Sequence, residues 1–393
     1  MVVRFIITAS LCLLGAVVSA NTRPLALAAS LTDAPLKQRL LACTPTNTDK
    51  LDFVIAHRGA PLGYPEHSEQ GYRAAAAQGA GWVECDVTFT QDGQFVCRHS
   101  QCDLHRTTNI LATPIAQQCS NPFTPAVSDA PAGAQCCTSD ITLAQYRSLC
   151  ARPDHVNPAA RTVDDYLQAR ESIVGTPSPT CGTLMTLDEQ IALNTSLNVK
   201  HVPELKAAMV PMPYEGMTQA DYADRLIQSY LEAGVDLKLL YPQSFSLDDV
   251  LYWINAYPAI ANQVIYLDPR GRARDFQPSL DGMQALYDQG VRILAPPIPV
   301  LITLNEQREI VPSPYAELAR AVGFELITWT LESRSAADPM NFLYATVREA
   351  IETEGDLYKV LDVLTHQVGI RAIFTDWPET AHFFAQCTEV SQR

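Results

Sequence analysis

Residues 54–99 read VIAHRGAPLGYPEHSEQGYRAAAAQGAGWVECDVTFTQDGQFVCRH. Two apolar, β-branched runs, 53–56 and 82–87, have the look of buried strands. The alanine-rich segment between them, 68–80, predicts a helix with Ser68 as a candidate cap and a stop at Gly79 and Gly81. Asp92-Gly93 signals a tight turn, and 95–99 a strand returning from it. A strand, a helix and a second strand in this order are the unit of an α/β fold. Ionisable residues gather where the strands give way to loops: His57 and Arg58 after the first, Glu84 and Asp86 in the second, His99 after the third.

Working outward, the alternation resumes beyond residue 181. Helical patterns over 184–197, 222–233, 247–256, 280–288, 314–321 and 356–365 separate short apolar runs. Strands that precede a helix centre near residues 53, 83, 200, 241, 265, 292, 326 and 372. Eight such repeats predict a (β/α)8 TIM barrel, a doubly wound sheet being the alternative. No Gly-x-Gly-x-x-Gly follows a strand, which removes the usual dinucleotide signature of that alternative. Residues 100–181 differ: periodicity is weak and cysteines are dense, so this segment reads as a disulfide-rich insertion between strands 2 and 3 and not as a separate domain. Residues 21–50 read as a loose leader, with Cys43 a tie to the domain.

The 393 residues carry a net charge of −15, which argues against nucleic-acid or anionic-membrane partners. Residues 1–20 read as a signal peptide: Arg4, an apolar core over 5–18, and Val18-Ser19-Ala20 as the cleavage site. The core is shorter than the roughly 20 residues a membrane span needs, so no stable membrane anchor is expected. Cleavage would remove Cys12 of the 11 cysteines. The even number left in an exported chain reads as a disulfide framework of open connectivity. No paired CxxC suggests zinc. Asn194-Thr195-Ser196 is a glycosylation sequon, with meaning only in a eukaryotic secretory route. The expected location is secreted, extracellular or periplasmic.

A barrel places its active site at the C-terminal ends of its strands. The candidate ends are His57-Arg58, Glu84 with Asp86, Glu204 with Lys206, Gln243-Ser244-Phe245, Trp329, and Thr375-Asp376. Glu84 and Asp86 are two apart, so a strand points both to one face. Their mutual repulsion would be relieved by a cation, and Glu204 would add a third oxygen ligand; the other reading pairs them with Arg58 or Lys206. An all-carboxylate set favours Mg2+ or Ca2+ over zinc. His57 and His99 titrate near neutrality and suit acid and base work on a phosphate ester, although any single histidine is more often structural. Arg58 and Lys206 offer charge for phosphate oxygens.

The segments AHRGAPLGYPEHS, VECDVTFTQDGQFVCRH, LHRTTN, VPELK, TWT and FTDWP resemble the glycerophosphodiester phosphodiesterase family over about residues 52–380. The resemblance implies a (β/α)8 barrel that hydrolyses glycerophosphodiesters to glycerol phosphate and an alcohol with one divalent cation, Ca2+ or Mg2+. It implies His57 and His99 as catalytic acid and base. Glu84, Asp86 and Glu204 would be metal ligands, and Arg58, Lys206, Glu66 and Trp329 substrate- or phosphate-binding residues. Two departures stand out. The family's Asn-Thr is His67-Ser68 here, expected to alter hydrogen bonding on the substrate side. Its Asp after the second histidine is Ser100, expected to remove a carboxylate that orients His99. The rival readings are a phospholipase D-like barrel acting on lysophospholipid or sphingomyelin, and a catalytically silent secreted binding barrel.

Overall fold

The computed structural model describes residues 22–45, 49–168, 181–273 and 275–390. The expected signal peptide lies outside them. Among the described residues eight strands form the barrel: β1 (Leu51–Ala56), β2 (Ala80–Phe89), β3 (Lys200–Leu205), β4 (Gln243–Ser244), β5 (Ile265–Tyr266), β6 (Ile293–Leu294), β7 (Glu325–Leu331) and β8 (Ala372–Thr375). Each runs parallel to its neighbour, and β8 returns to β1 with Val54 opposite Ile373, so the sheet closes into a barrel. All eight fall where the apolar runs placed them. Parallel strands are covered on both faces, which is why they read as continuous hydrophobic runs.

The two faces carry separate cores. Outside, Val54, Ala56, Val83, Cys85 and Val87 pack against the surrounding helices. Inside, Ile55, Trp82, Val202, Ile265, Ile293, Ile327 and Phe374 fill the barrel. Helix Glu69–Ala77 starts at Ser68, whose Oγ accepts from Gly71 N–H at 3.1 Å, as the sequence suggested. Leu187–Leu197 starts with a reciprocal capping box between Thr186 and Glu189.

The loose leader is a correction. Thr22–Ser30 and Ala34–Ala42 are helices, and Leu27, Leu31, Leu36 and Leu40 are buried in the outer core. Asp356 anchors the turn between them, its Oδ1 accepting from Thr32 N–H and Oγ–H at 2.9 and 2.7 Å. These partners lie more than 300 residues away in sequence, beyond the reach of local periodicity. A bridge between Cys43 and Cys387 fastens this segment to the C-terminal helix Pro378–Cys387. Replacing both cysteines by serine should lower unfolding stability by about 2–5 kcal/mol, read from the denaturant midpoint.

The segment between β2 and β3 holds a satellite apolar cluster around Leu104, Ile110, Ile141, Tyr146 and Tyr166. Three bridges staple it, Cys102–Cys137, Cys119–Cys136 and Cys150–Cys181. A fifth, Cys85–Cys97, ties β2 to the antiparallel strand Phe95–Cys97 that leads to His99.

Candidate active site

Strand parity decides which residues meet. Ile55, Trp82, Val202, Ile327 and Phe374 point into the barrel. Two positions further along each strand come His57, Glu84, Glu204, Trp329 and Asp376, and Asp86 and Lys206 follow at the next inward positions. Arg58 breaks the alternation: its φ of 58° puts it in the left-handed region. Gly59 follows at φ 98°, where a Cβ would lie 2.9 Å from the Gly71 carbonyl carbon, so the turn needs glycine.

Glu84, Asp86 and Glu204 converge, with one carboxylate oxygen of each within 4.8 Å of the others and all three buried. Burial, then the charges of Asp86 and Glu204, push Glu84 well above the usual carboxylate range. Burial pushes Glu204 up to about 8, Lys206 opposing and Asp86 adding to the rise. Burial would raise Asp86 too, but Lys206 and His67 beside it hold it well below its ordinary value. Asp86 Oδ1 is buried without a hydrogen bond. Lys206 Nζ lies 2.6 Å from Glu204 Oε1 and 3.7 Å from Asp86 Oδ1, so one lysine does not neutralise three carboxylates. An oxygen-only set with an unused buried lone pair fits a hard divalent cation.

The cations and histidines border this cluster. Arg58 donates from its backbone N–H to Glu84 Oε2 at 3.0 Å, while its guanidinium lies 3.2 Å from Glu66 Oε2 and 3.5 Å from Asp86 Oδ2. His57 Nδ1 is 2.5 Å from Asp376 Oδ1, which leaves Nε2 for the cavity. Burial, then Arg58 and Lys206, hold His99 well below the usual histidine range. Trp329 donates its indole N–H to Ala295 O at 2.9 Å and meets Phe245 edge to face. These groups surround one cavity of about 210 Å3, lined by His57, Arg58, Glu84, His99, Glu204, Lys206, Phe245, Leu267, Arg272, Trp329 and Phe374.

Three placements differ from a reading along the chain. Glu66 is only 4% exposed and sits behind Arg58, between it and the fully buried Arg98, which reaches Glu66 Oε1 at 3.1 Å and Asp103 Oδ1 at 3.4 Å. His67 turns away from the substrate side: its Nε2 meets Asp86 Oδ2 at 2.8 Å and its Nδ1 meets Tyr72 Oη at 2.8 Å. Ser100 gives its backbone N–H to Asp103 Oδ2 at 3.0 Å. The sequence reading gave no role to Gln243, which donates to Glu84 Oε1 at 2.8 Å, or to Asp376 and Arg98. Asp376 lay in the quoted FTDWP segment, and Arg98 directly precedes His99.

A closed parallel barrel with a buried acidic triad, two histidines and two cations at its C-terminal mouth has the makings of a phosphate-ester hydrolase. The chain belongs to the glycerophosphoryl diester phosphodiesterase family, whose model matches residues 57–380. An "Extracellular protein" of Arthroderma benhamiae is 36% identical over 247 residues, spanning 60% of this chain and 98% of that protein. A glycerophosphoryl diester phosphodiesterase-like structure from Silicibacter pomeroyi superposes with a TM-score of 0.57 at 18% identity, covering 86% of this chain and 94% of that one. An Oleispira antarctica phosphodiesterase, solved in complex with the product sn-glycerol-3-phosphate, superposes with a TM-score of 0.50 at 18% identity, covering 85% and 96%. At that identity the structural likeness is one of fold.

Proposed function

We propose that this chain is a secreted, divalent-cation-dependent phosphodiesterase that hydrolyses small glycerophosphodiesters to glycerol 3-phosphate and an alcohol. The observation that carries this reading is that His57, His99, Arg58, Lys206 and the carboxylates Glu84 and Glu204 open on one cavity, with Asp86 directly behind. Family membership and the product held by the Oleispira enzyme support the substrate class. Glu84, Asp86 and Glu204 would hold the cation, Ca2+ or Mg2+, which when bound supplies Lewis-acid stabilisation of a phosphoryl oxygen. Arg58 and Lys206 share the negative charge that grows on the phosphoryl oxygens. His57 and His99 divide the proton transfers, one taking a proton from the attacking oxygen and the other giving one to the departing alcohol. Asp376 fixes the ring of His57 through Nδ1. Glu66 acts through Arg58, and Trp329 walls the pocket.

Export is supported by ten paired cysteines, the signal-like residues 1–20 and the extracellular name of the Arthroderma relative. Among the described residues no helix is long and apolar enough to cross a membrane. The test is release of glycerol 3-phosphate from glycerophosphocholine by the purified protein. Chelation with EDTA should abolish release, and Ca2+ or Mg2+ should restore it. Turnover that survives exhaustive chelation would rule out the cation, and no turnover with either metal would favour a silent binding barrel.

A further inference from the structure

Most cations around the cavity are engaged. Arg58 contacts Glu66 and Asp86, and Lys206 contacts Glu204. Arg272, which also lines the cavity, is different. It sits on the loop that leaves β5, and its side chain is exposed. Among the described residues no carboxylate or carbonyl pairs with its guanidinium, in a chain with 43 acidic and 28 basic residues. Its neighbour Arg270 shows the contrast: Nε and a terminal nitrogen clasp Asp268 at 2.8 and 2.7 Å, and the group lies over the Phe276 ring.

The backbone leading into Arg272 is anchored. Arg272 N–H bonds Pro269 O at 3.0 Å, closing a turn. A Cβ on Gly271 would come within 2.6 Å of the Val300 methyls, so the backbone presses directly on the helix Ile298–Leu301.

The position of this loop in the barrel gives the free charge a meaning. The phosphate-side groups come from β1, β2 and β3 and from the hairpin after β2. In a ring of eight strands β5 stands diametrically opposite β1. The rest of the lining, Phe245, Leu267, Trp329 and Phe374, is an apolar wall carried on or just after β4, β5, β7 and β8, the side of the ring that also carries Arg272. A substrate whose phosphate rests on Arg58 and Lys206 therefore extends along this wall toward Arg272. Glycerol is the constant part and suits the enclosed end, whereas the variable alcohol must reach the open mouth. A planar guanidinium in that position pairs best with a carboxylate or phosphate and repels a quaternary ammonium.

We infer that Arg272 selects the alcohol: this enzyme prefers glycerophosphodiesters whose alcohol carries a negative charge. The inference rests on the reading of the site as a glycerophosphodiesterase. The test uses three glycerophosphodiesters of similar length, esterified to 3-hydroxypropanoate, 1-propanol and choline. Wild-type kcat/KM should be about threefold to fivefold higher for the anionic ester than for the neutral one, the modest size fitting an exposed ion pair. R272Q should bring that ratio close to one, R272E should turn the preference toward choline, and R272K should keep part of it. A wild-type ratio near one, or an R272Q ratio equal to the wild-type ratio, overturns the assignment of Arg272 while the hydrolytic reading stands. No hydrolysis of any of the three by the metal-loaded wild type overturns the reading of the site, and this inference with it.

Discussion

His57→Ala should lower kcat on glycerophosphocholine by about 10²- to 10⁴-fold, the span usual for loss of one general acid or base. His57 has the geometry for this size of effect. It projects into the cavity from the end of β1, its ring backed by Phe374 edge to face and its Nδ1 held by Asp376 at 2.5 Å. His99→Ala should fall in the same span, because in the proposed mechanism the two proton transfers occur on different oxygens and neither histidine covers for the other. Asp376→Asn should cost less. It keeps the shape but replaces the carboxylate that holds Nδ1 with an amide. The check is single-turnover and steady-state kinetics at saturating cation, with far-ultraviolet circular dichroism to show that each variant is folded. Near-wild-type turnover in either alanine variant would remove that histidine from the mechanism.

The largest expected effect on stability belongs to a residue that does not face the cavity. Arg98 is fully buried, and its guanidinium serves Glu66 Oε1 at 3.1 Å, Glu66 O at 3.3 Å and Asp103 Oδ1 at 3.4 Å. Arg98→Met leaves Asp103 without its ion-pair partner and Glu66 with Arg58 alone, in a low-dielectric site. Breaking a buried pair from one side costs about 3–5 kcal/mol. Burial alone would raise the Glu66 carboxyl, but Arg58 and Arg98 together outweigh it and hold it well below its ordinary value. A depressed folded pKa contributes stability that is present above the unfolded value, about 4.3, and is lost as pH falls. Burial pushes Asp103 up to about 6 against Arg98, so the gap between wild type and variant should be widest near pH 7, shrink as Asp103 takes a proton, and narrow further below about pH 4. Urea unfolding at the two pH values measures it. A difference under about 1 kcal/mol at pH 7 would mean that Arg98 is dispensable to the fold.

The sequence exposed some links of this network and hid others, for physical reasons. The barrel was legible because strands covered on both faces must be apolar throughout, and eight such runs recur between helices. Glu84 and Asp86 could be placed on one face because strand parity is local. Glu204 and Lys206 could be joined to them because β3 is the next strand in the ring. Glu66 shows where such reading stops. Its motif position put it beside the substrate, but Arg98 and Arg58 draw it behind the cavity, and that depends on packing between the loop after β1 and the hairpin after β2. His67 is similar. A residue-by-residue comparison registered a missing asparagine, whereas the ring turned inward to brace Asp86, a choice set by the left-handed backbone at φ 53°. The N-terminal helices were missed because their stability comes from a helix at the far end of the chain.

The disulfide pairing also sets a timetable for making the protein. Four bridges join cysteines only 12, 35, 17 and 31 residues apart. All four can close once Cys181 has reached an oxidising compartment, without waiting for the C-terminal half of the barrel. The fifth spans 344 residues and must wait for the final helix. A nascent chain can thus carry a locked hairpin and a stapled insertion, with His57, Glu84, Asp86 and His99 already aboard, and still have no catalyst. Glu204, Lys206 and Asp376 arrive later, and the Cys43–Cys387 clasp fastens the finished ring. On the proposed assignment, hydrolytic power waits for these later residues, a delay written into the order in which the residues are synthesised.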